Sequence, residues 1–127
     1  MKPSVRLIDP GFSTADGDFP GFDYDEQQYL RFYFLDWREE TVLVLFKNVI
    51  ALRWQAIQEL LPDEPSDGTC EILNSEWLQA HQREGVIDID QQFHHYRLNF
   101  NACGSFELIC THYRRENQGV KNPPWQS

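Results

Sequence analysis

Five consecutive apolar residues, Val42-Leu43-Val44-Leu45-Phe46, constrain this chain more than any other feature. The run is far below the ~20 residues that a membrane-spanning helix needs, and its Val and Leu content suits an extended strand. An unbroken apolar strand has no side for water, so it predicts burial on both faces or a central place in a sheet. The segment before it alternates: Leu30, Phe32 and Phe34 share one face over residues 29–36, and Arg31 and Tyr33 take the other. A polar stretch at 36–40 reads as a turn, so the two segments predict an antiparallel hairpin.

The same reading extends along the chain. Residues 4–8 predict a short edge strand that stops at the Asp9-Pro10-Gly11 turn. Residues 12–27 mix Phe12, Phe19, Phe22 and Tyr24 with acids and glycines, and predict an ordered loop pinned by its aromatics. Val49, Leu52, Ala56 and Leu60 have helical spacing, which leaves residues 49–61 open between strand and helix. The favoured reading is strand to Trp54 after a bend at Lys47-Asn48, then a short helix over 55–61 stopped by Pro62. Residues 62–68 are a loop and 69–73 a strand. Asn74 or Ser75 then caps a helix that runs to about Arg83 and stops at Gly85, with Trp77 and His81 on one face. A second hairpin is predicted from 93–100 and 105–113, turning at Asn101-Ala102-Cys103-Gly104. Its core faces would be Tyr96, Leu98 and Phe100 against Phe106, Leu108 and Cys110. Residues 116–127 have no periodicity and read as a loosely ordered tail. The expectation is one α+β domain over 1–127, a mainly antiparallel twisted sheet of five to seven strands with one or two short helices on one face.

Charge narrows the partners. The net charge of -9 falls almost wholly on two segments: residues 1–27 sum to -4 and residues 59–71 to -5. Such a surface repels phosphate backbones, which argues against nucleic acid, and it suits a basic protein partner or plain solubility. Three cysteines at irregular spacing, Cys70, Cys103 and Cys110, fit reduced thiols in a cytoplasm better than a disulfide framework. No membrane segment is expected, and the chain reads as a monomer or homodimer.

Candidate chemistry is sparse. Cys110 and His112, with Cys103, His94 and His95 nearby, are the right types for zinc but lack paired ligand spacing. Asp16, Asp18 and Gly21 match part of a calcium loop, yet Pro20 and Gln27 occupy positions that should carry ligands. Cys103 beside Gly104 is a candidate thiol nucleophile with His94 or His95 as base, although nothing marks it as activated. The acid pairs Glu39-Glu40, Asp63-Glu64 and Asp88-Asp90 read as solvated turns. No metal, cofactor or catalytic residue is therefore expected. What stands out is Tyr29, Arg31, Tyr33 and Trp37, which alternation places together opposite the Leu30/Phe32/Phe34 face. An exposed Tyr/Arg/Trp surface is what protein-binding hot spots are made of, and a second core layer or a self-association surface fits it equally. The competing site is a pocket in the concavity of the sheet that uses His94, His95, Cys110 or His112.

Residues 29–49, an apolar-x-apolar strand, a Trp-containing turn and an apolar strand ending Phe46-Lys47-Asn48-Val49, resemble a broad group of small bacterial α+β proteins. The group includes immunity proteins of polymorphic toxin systems. The Ser75-Glu76-Trp77-Leu78 helix start and the second hairpin are similar in arrangement, so the likeness covers about half of the chain. It implies an α+β fold, a cytosolic location and a protein partner, with acids that suit a basic toxin. Its motifs are structural, so it assigns no site residue. The functional expectation is a non-enzymatic interaction protein of the immunity kind; the alternative is a small-ligand binder or enzyme.

Overall fold

The computed structural model describes residues 2–24, 29–85, 92–101 and 104–116. Asp88-Asp90, Cys103 and the stretch beyond Glu116 lie outside them. The described chain is α+β and mainly antiparallel, but its strands divide between two sheets rather than one. In chain order the elements are β1 (Ser4–Ile8), β2 (Asp18–Tyr24), β3 (Leu30–Leu35), β4 (Thr41–Lys47), β5 (Ala51–Gln55), β6 (Gly68–Leu73), α1 (Glu76–Arg83), β7 (His94–Phe100), β8 (Gly104–Cys110) and β9 (His112–Arg115). One sheet has the order β1-β6-β7-β8-β5 and the other β2-β3-β4-β9. Among the described residues no helix is long and apolar enough to cross a membrane.

The alternating strands make the core. Leu30, Phe32 and Phe34 of β3 and Val42, Val44 and Phe46 of β4 face Tyr96, Leu98 and Phe100 of β7 and Phe106, Leu108 and Cys110 of β8. Aromatic rings knit the sheets together: Phe32 stacks on Phe106 at 4.3 Å, and Phe34 meets Phe100 edge-on at 5.0 Å. The apolar run of β4 is buried on both sides, because Leu43 and Leu45 are covered on the outer face as well.

The chain passes between the sheets three times, once from β1 to β2 and twice at one corner. Residues 105–113 read as one strand in sequence, but the chain turns at Thr111, so β8 ends in the larger sheet and β9 pairs with β4 in the smaller. Beside it, β4 hands over to β5 through Asn48, held at a φ of 55°. The two crossings brace each other: Thr111 N–H donates to Lys47 O at 3.1 Å, and Asn48 Nδ2 donates to Thr111 Oγ1 at 2.9 Å. Sheets that pack face to face need such corners.

Two further expectations are corrected. Residues 18–24, read as loop, form β2; an edge strand tolerates Pro20, and a register shift between Asp18 and Gly21 absorbs the irregularity. The helix expected at 55–61 is absent. Ala56 and Leu60, the stripe residues within this segment, are both exposed, so the apparent helical stripe has no core to face there. The segment is tied down as a loop instead, with Gln58 Nε2 donating to Ser66 O and Leu61 N–H donating to the Glu64 carboxylate. Helix α1 forms as expected, capped by Ser75, whose Oγ accepts from Leu78 N–H at 3.1 Å.

Candidate functional site

Opposite residues in antiparallel strands share a face, so the register sorts the polar side chains of the larger sheet. Cys70, Arg97, Glu107 and Arg53 form one row across β6, β7, β8 and β5, pointing away from the core. Asn99 and Ser105 form the next row, and His95 follows on the other side. Helix α1 and the 56–67 loop cover this face, so side chains that alternation assigns to water are buried instead.

Burial forces them to satisfy one another. Arg97 pairs with Glu64 at 2.5 Å and lies 3.1 Å from Glu107. Arg53 forks onto both Glu107 oxygens at 3.0 and 3.2 Å. Asn99 donates to Glu64 at 2.8 Å and accepts from Ser105 at 2.6 Å. His95 bridges Glu107, 2.7 Å from its Nε2, and Ser75, 2.7 Å from its Nδ1. Burial pushes the Glu107 carboxyl up, but hydrogen bonds from His95 and Arg53 and the charge of Arg97 outweigh it and bring it down to about 2. Burial dominates at His95 and holds its pKa below the usual imidazole value against the pull of Glu107. The Trp77 ring stands edge-on to His95 at 5.1 Å and carries the Arg53 guanidinium 4.3 Å above its own face. A cavity of about 370 Å³ opens here.

The four expected pocket residues do not come together. His95 belongs to this outer face. His94 and His112 line a different depression of about 660 Å³ with Tyr96 and Tyr113. There His94 lies 2.5 Å from Glu71, which Arg6 also holds. Cys110 is fully buried core, its thiol pKa pushed far up by burial. The turn at Thr111 separates it from His112, which is exposed. Cys70 is likewise buried, its pKa raised to about 12 by burial and by Glu64. Among the described residues no group of three His, Cys, Asp or Glu is placed to hold a metal ion.

The expected contact face is divided too. Trp37 is 61% exposed at the tip of the β3–β4 turn, with Arg38 5.7 Å from its ring centroid, and Arg31 is exposed. Tyr29 is half-buried, 6.0 Å from the Lys47 ammonium. Tyr33 is only 6% exposed and donates its hydroxyl to Asp23 at 3.0 Å, so its ring joins Leu43 and Leu45 in a covered layer instead of the surface.

A different aromatic surface lies where the two sheets stop short of each other. Edge strands β2 and β5 leave a crevice of about 330 Å³ lined by Pro20, Gly21, Phe22, Phe32, Trp54 and Phe106. Phe22 and Trp54 are 46% and 40% exposed at its mouth. Sequence reading missed it because it takes Pro20, Gly21 and Phe22 from a presumed loop and Trp54 from a segment open between strand and helix. Arg97 and Glu107 were missed as well, although polar residues inside otherwise apolar strands were a visible signal, and Ser75 was read only as a helix cap. Comparison of the chain with family models, curated proteins and solved structures finds no match.

Proposed function

We propose that the protein works by binding a basic protein partner at the open β2/β5 side of the sandwich, in the manner of an immunity protein that occludes its target. The observation that carries this reading is the aromatic crevice with Phe22 and Trp54 half out of it. Large aromatics at the mouth of an apolar slot are the usual anchors of protein interfaces. Charge supports the choice of partner. Asp18 and Asp23 are exposed on β2, and the loop leaving β5 exposes Glu59, Asp63 and Asp67. Glu64 and Glu71 are consumed inside the fold by Arg97 and Arg6, so the surface field comes from the remaining acids. These acids steer a cationic partner, and the crevice receives an apolar side chain from it.

The test is retention of partner from the source cells on immobilised wild-type chain against the Phe22→Ala/Trp54→Ala double variant, at low and high salt. The expected result is a basic protein held by the wild type, weakened by salt, and bound about 30-fold or more less tightly by the variant, equivalent to about 2 kcal/mol. Equal retention by both, or no retained protein at protein excess and low salt, overturns the reading. Light scattering at high concentration separates the remaining case, a second copy of the chain in the crevice.

A further inference from the structure

The covered face of the larger sheet links a serine, a histidine and a carboxylate by hydrogen bonds, apart from the open side. Glu107 is ionised and only accepts hydrogen bonds, so His95 Nε2, 2.7 Å away, must carry the ring proton. Nδ1 is then a bare lone pair, and the Ser75 hydroxyl 2.7 Å from it is the donor. A hydroxyl hydrogen-bonded to an imidazole whose far nitrogen is held by a carboxylate is the arrangement that makes serine a nucleophile. Its setting matches. Ser75 and His95 both line the 370 Å³ cavity, beneath Trp77. Ser75 also ends at the N-terminus of α1, where the N–H groups of Glu76 and Trp77 precede the first intrahelical bond, Gln79 N–H to Ser75 O. Donors in that position stabilise a developing oxyanion. The hydrogen bond from Leu78 N–H fixes the Oγ rotamer.

We propose that Ser75, His95 and Glu107 form an acyl-transfer site for small uncharged esters. Ser75 Oγ bonds to the ester carbonyl carbon while its proton passes to His95 Nδ1. The carbon–oxygen bond to the alcohol then breaks, and the leaving oxygen takes that proton. Water attacks the acyl-serine with Nδ1 again as base, which releases the carboxylic acid and restores the hydroxyl. The substrate class follows from the walls. Pro3, Leu61, Ile72 and Trp77 are apolar, and the two arginines at the site are neutralised by Glu107 and Glu64, so no surplus cation calls for a carboxylate or phosphate.

The test uses the full chain, a serine-directed fluorophosphonate and p-nitrophenyl butyrate. The expected result is one phosphonyl adduct, mapped to Ser75, that stops ester hydrolysis. Asparagine caps helices as well as serine, so Ser75→Asn should still fold, its melting temperature lowered only by what the larger side chain costs at a position 3% exposed, while cutting turnover by about 100-fold or more and abolishing the adduct. Ser75→Ala should lose both cap and chemistry. The wild-type rate should be level through neutrality and at pH 6.5, and fall only at more acidic pH, because burial holds His95 below the ordinary imidazole value; the groups facing that ring are Glu107, Arg97, Arg53 and Ser75. A folded wild type without an adduct on Ser75, or undiminished hydrolysis by folded Ser75→Asn, overturns the proposal and leaves Ser75 as a helix cap alone.

Discussion

Arg97 shows how much one side chain can hold. It sits between two buried carboxylates, Glu64 and Glu107, with only 10% of its own side chain reaching water. Replacement by an apolar residue of similar length would strand both acids, and breaking a buried pair from one side costs about 3–5 kcal/mol. Arg97→Met should therefore lower the urea midpoint steeply, while Arg53→Ala, on the exposed rim, should lower it much less. Acidification tests the same residues through their protons. Glu107 is depressed from its ordinary value of 4.5 to about 2, so its contribution is complete above pH 4.5 and is lost as pH falls from there toward 2. His95 is depressed from 6.5, so the fold favours its neutral form, and that contribution is lost as pH falls below 6.5. Both effects have the same sign. Denaturant midpoints should be level above neutrality and decline on acidification in two stages, and His95→Gln should remove the first. The histidines and cysteines legible in sequence were a poor guide here, because type and spacing do not reveal burial: Cys110 is core and His95 a bridge.

At the scale of elements, the β3–β4 hairpin rests on Asp36. Its buried carboxylate accepts from Arg38 N–H at 2.9 Å, from Glu40 N–H at 3.0 Å and from the Arg38 guanidinium at 2.9 Å. That side chain closes the turn and lets Glu39 take a φ of 62°. Asp36→Ala removes the acceptor for two backbone donors and should cost about 1–3 kcal/mol, read as a lower melting temperature. Asp36→Asn keeps one acceptor oxygen and should cost less. This hairpin was legible from its alternation and its polar turn. The 55–61 segment was not, because Ala56 and Leu60 continue the helical spacing of Val49 and Leu52, while the bonds of Gln58 to Ser66 and of Glu64 to Leu61 that tie it down as a loop are not marked by that spacing.

Across the whole molecule, Phe32 is the side chain both sheets depend on. It stacks on Phe106 at 4.3 Å and lies 5.8 Å from Phe100 and 6.0 Å from Phe34. Phe32→Ala would open a cavity between the layers and should cost about 3–5 kcal/mol. It would also deepen the adjoining crevice, so its effect on partner binding must be judged only where the variant is folded, unlike that of half-exposed Trp54. The two faces of the larger sheet have different duties. One makes the apolar core, and the other gathers charge under α1 and the 56–67 loop. A largely buried polar network of this kind contributes less to net stability than apolar packing would, and its members are costly to lose one at a time.

The chain's own pattern determined where most strands run, which residues of β3, β7 and β8 face the core, and where α1 begins, since each depends on neighbours within a few positions. Tertiary structure decided what local pattern does not carry. The corner at Asn48 and Thr111 turned one expected sheet into two, because its bonds join residues more than sixty apart. Covering elements then decided which polar rows stay wet. Arg97 and Glu107 alternate as surface residues do, and only the packing of the 56–67 loop and α1 over them converts that row into a buried, mutually bonded site.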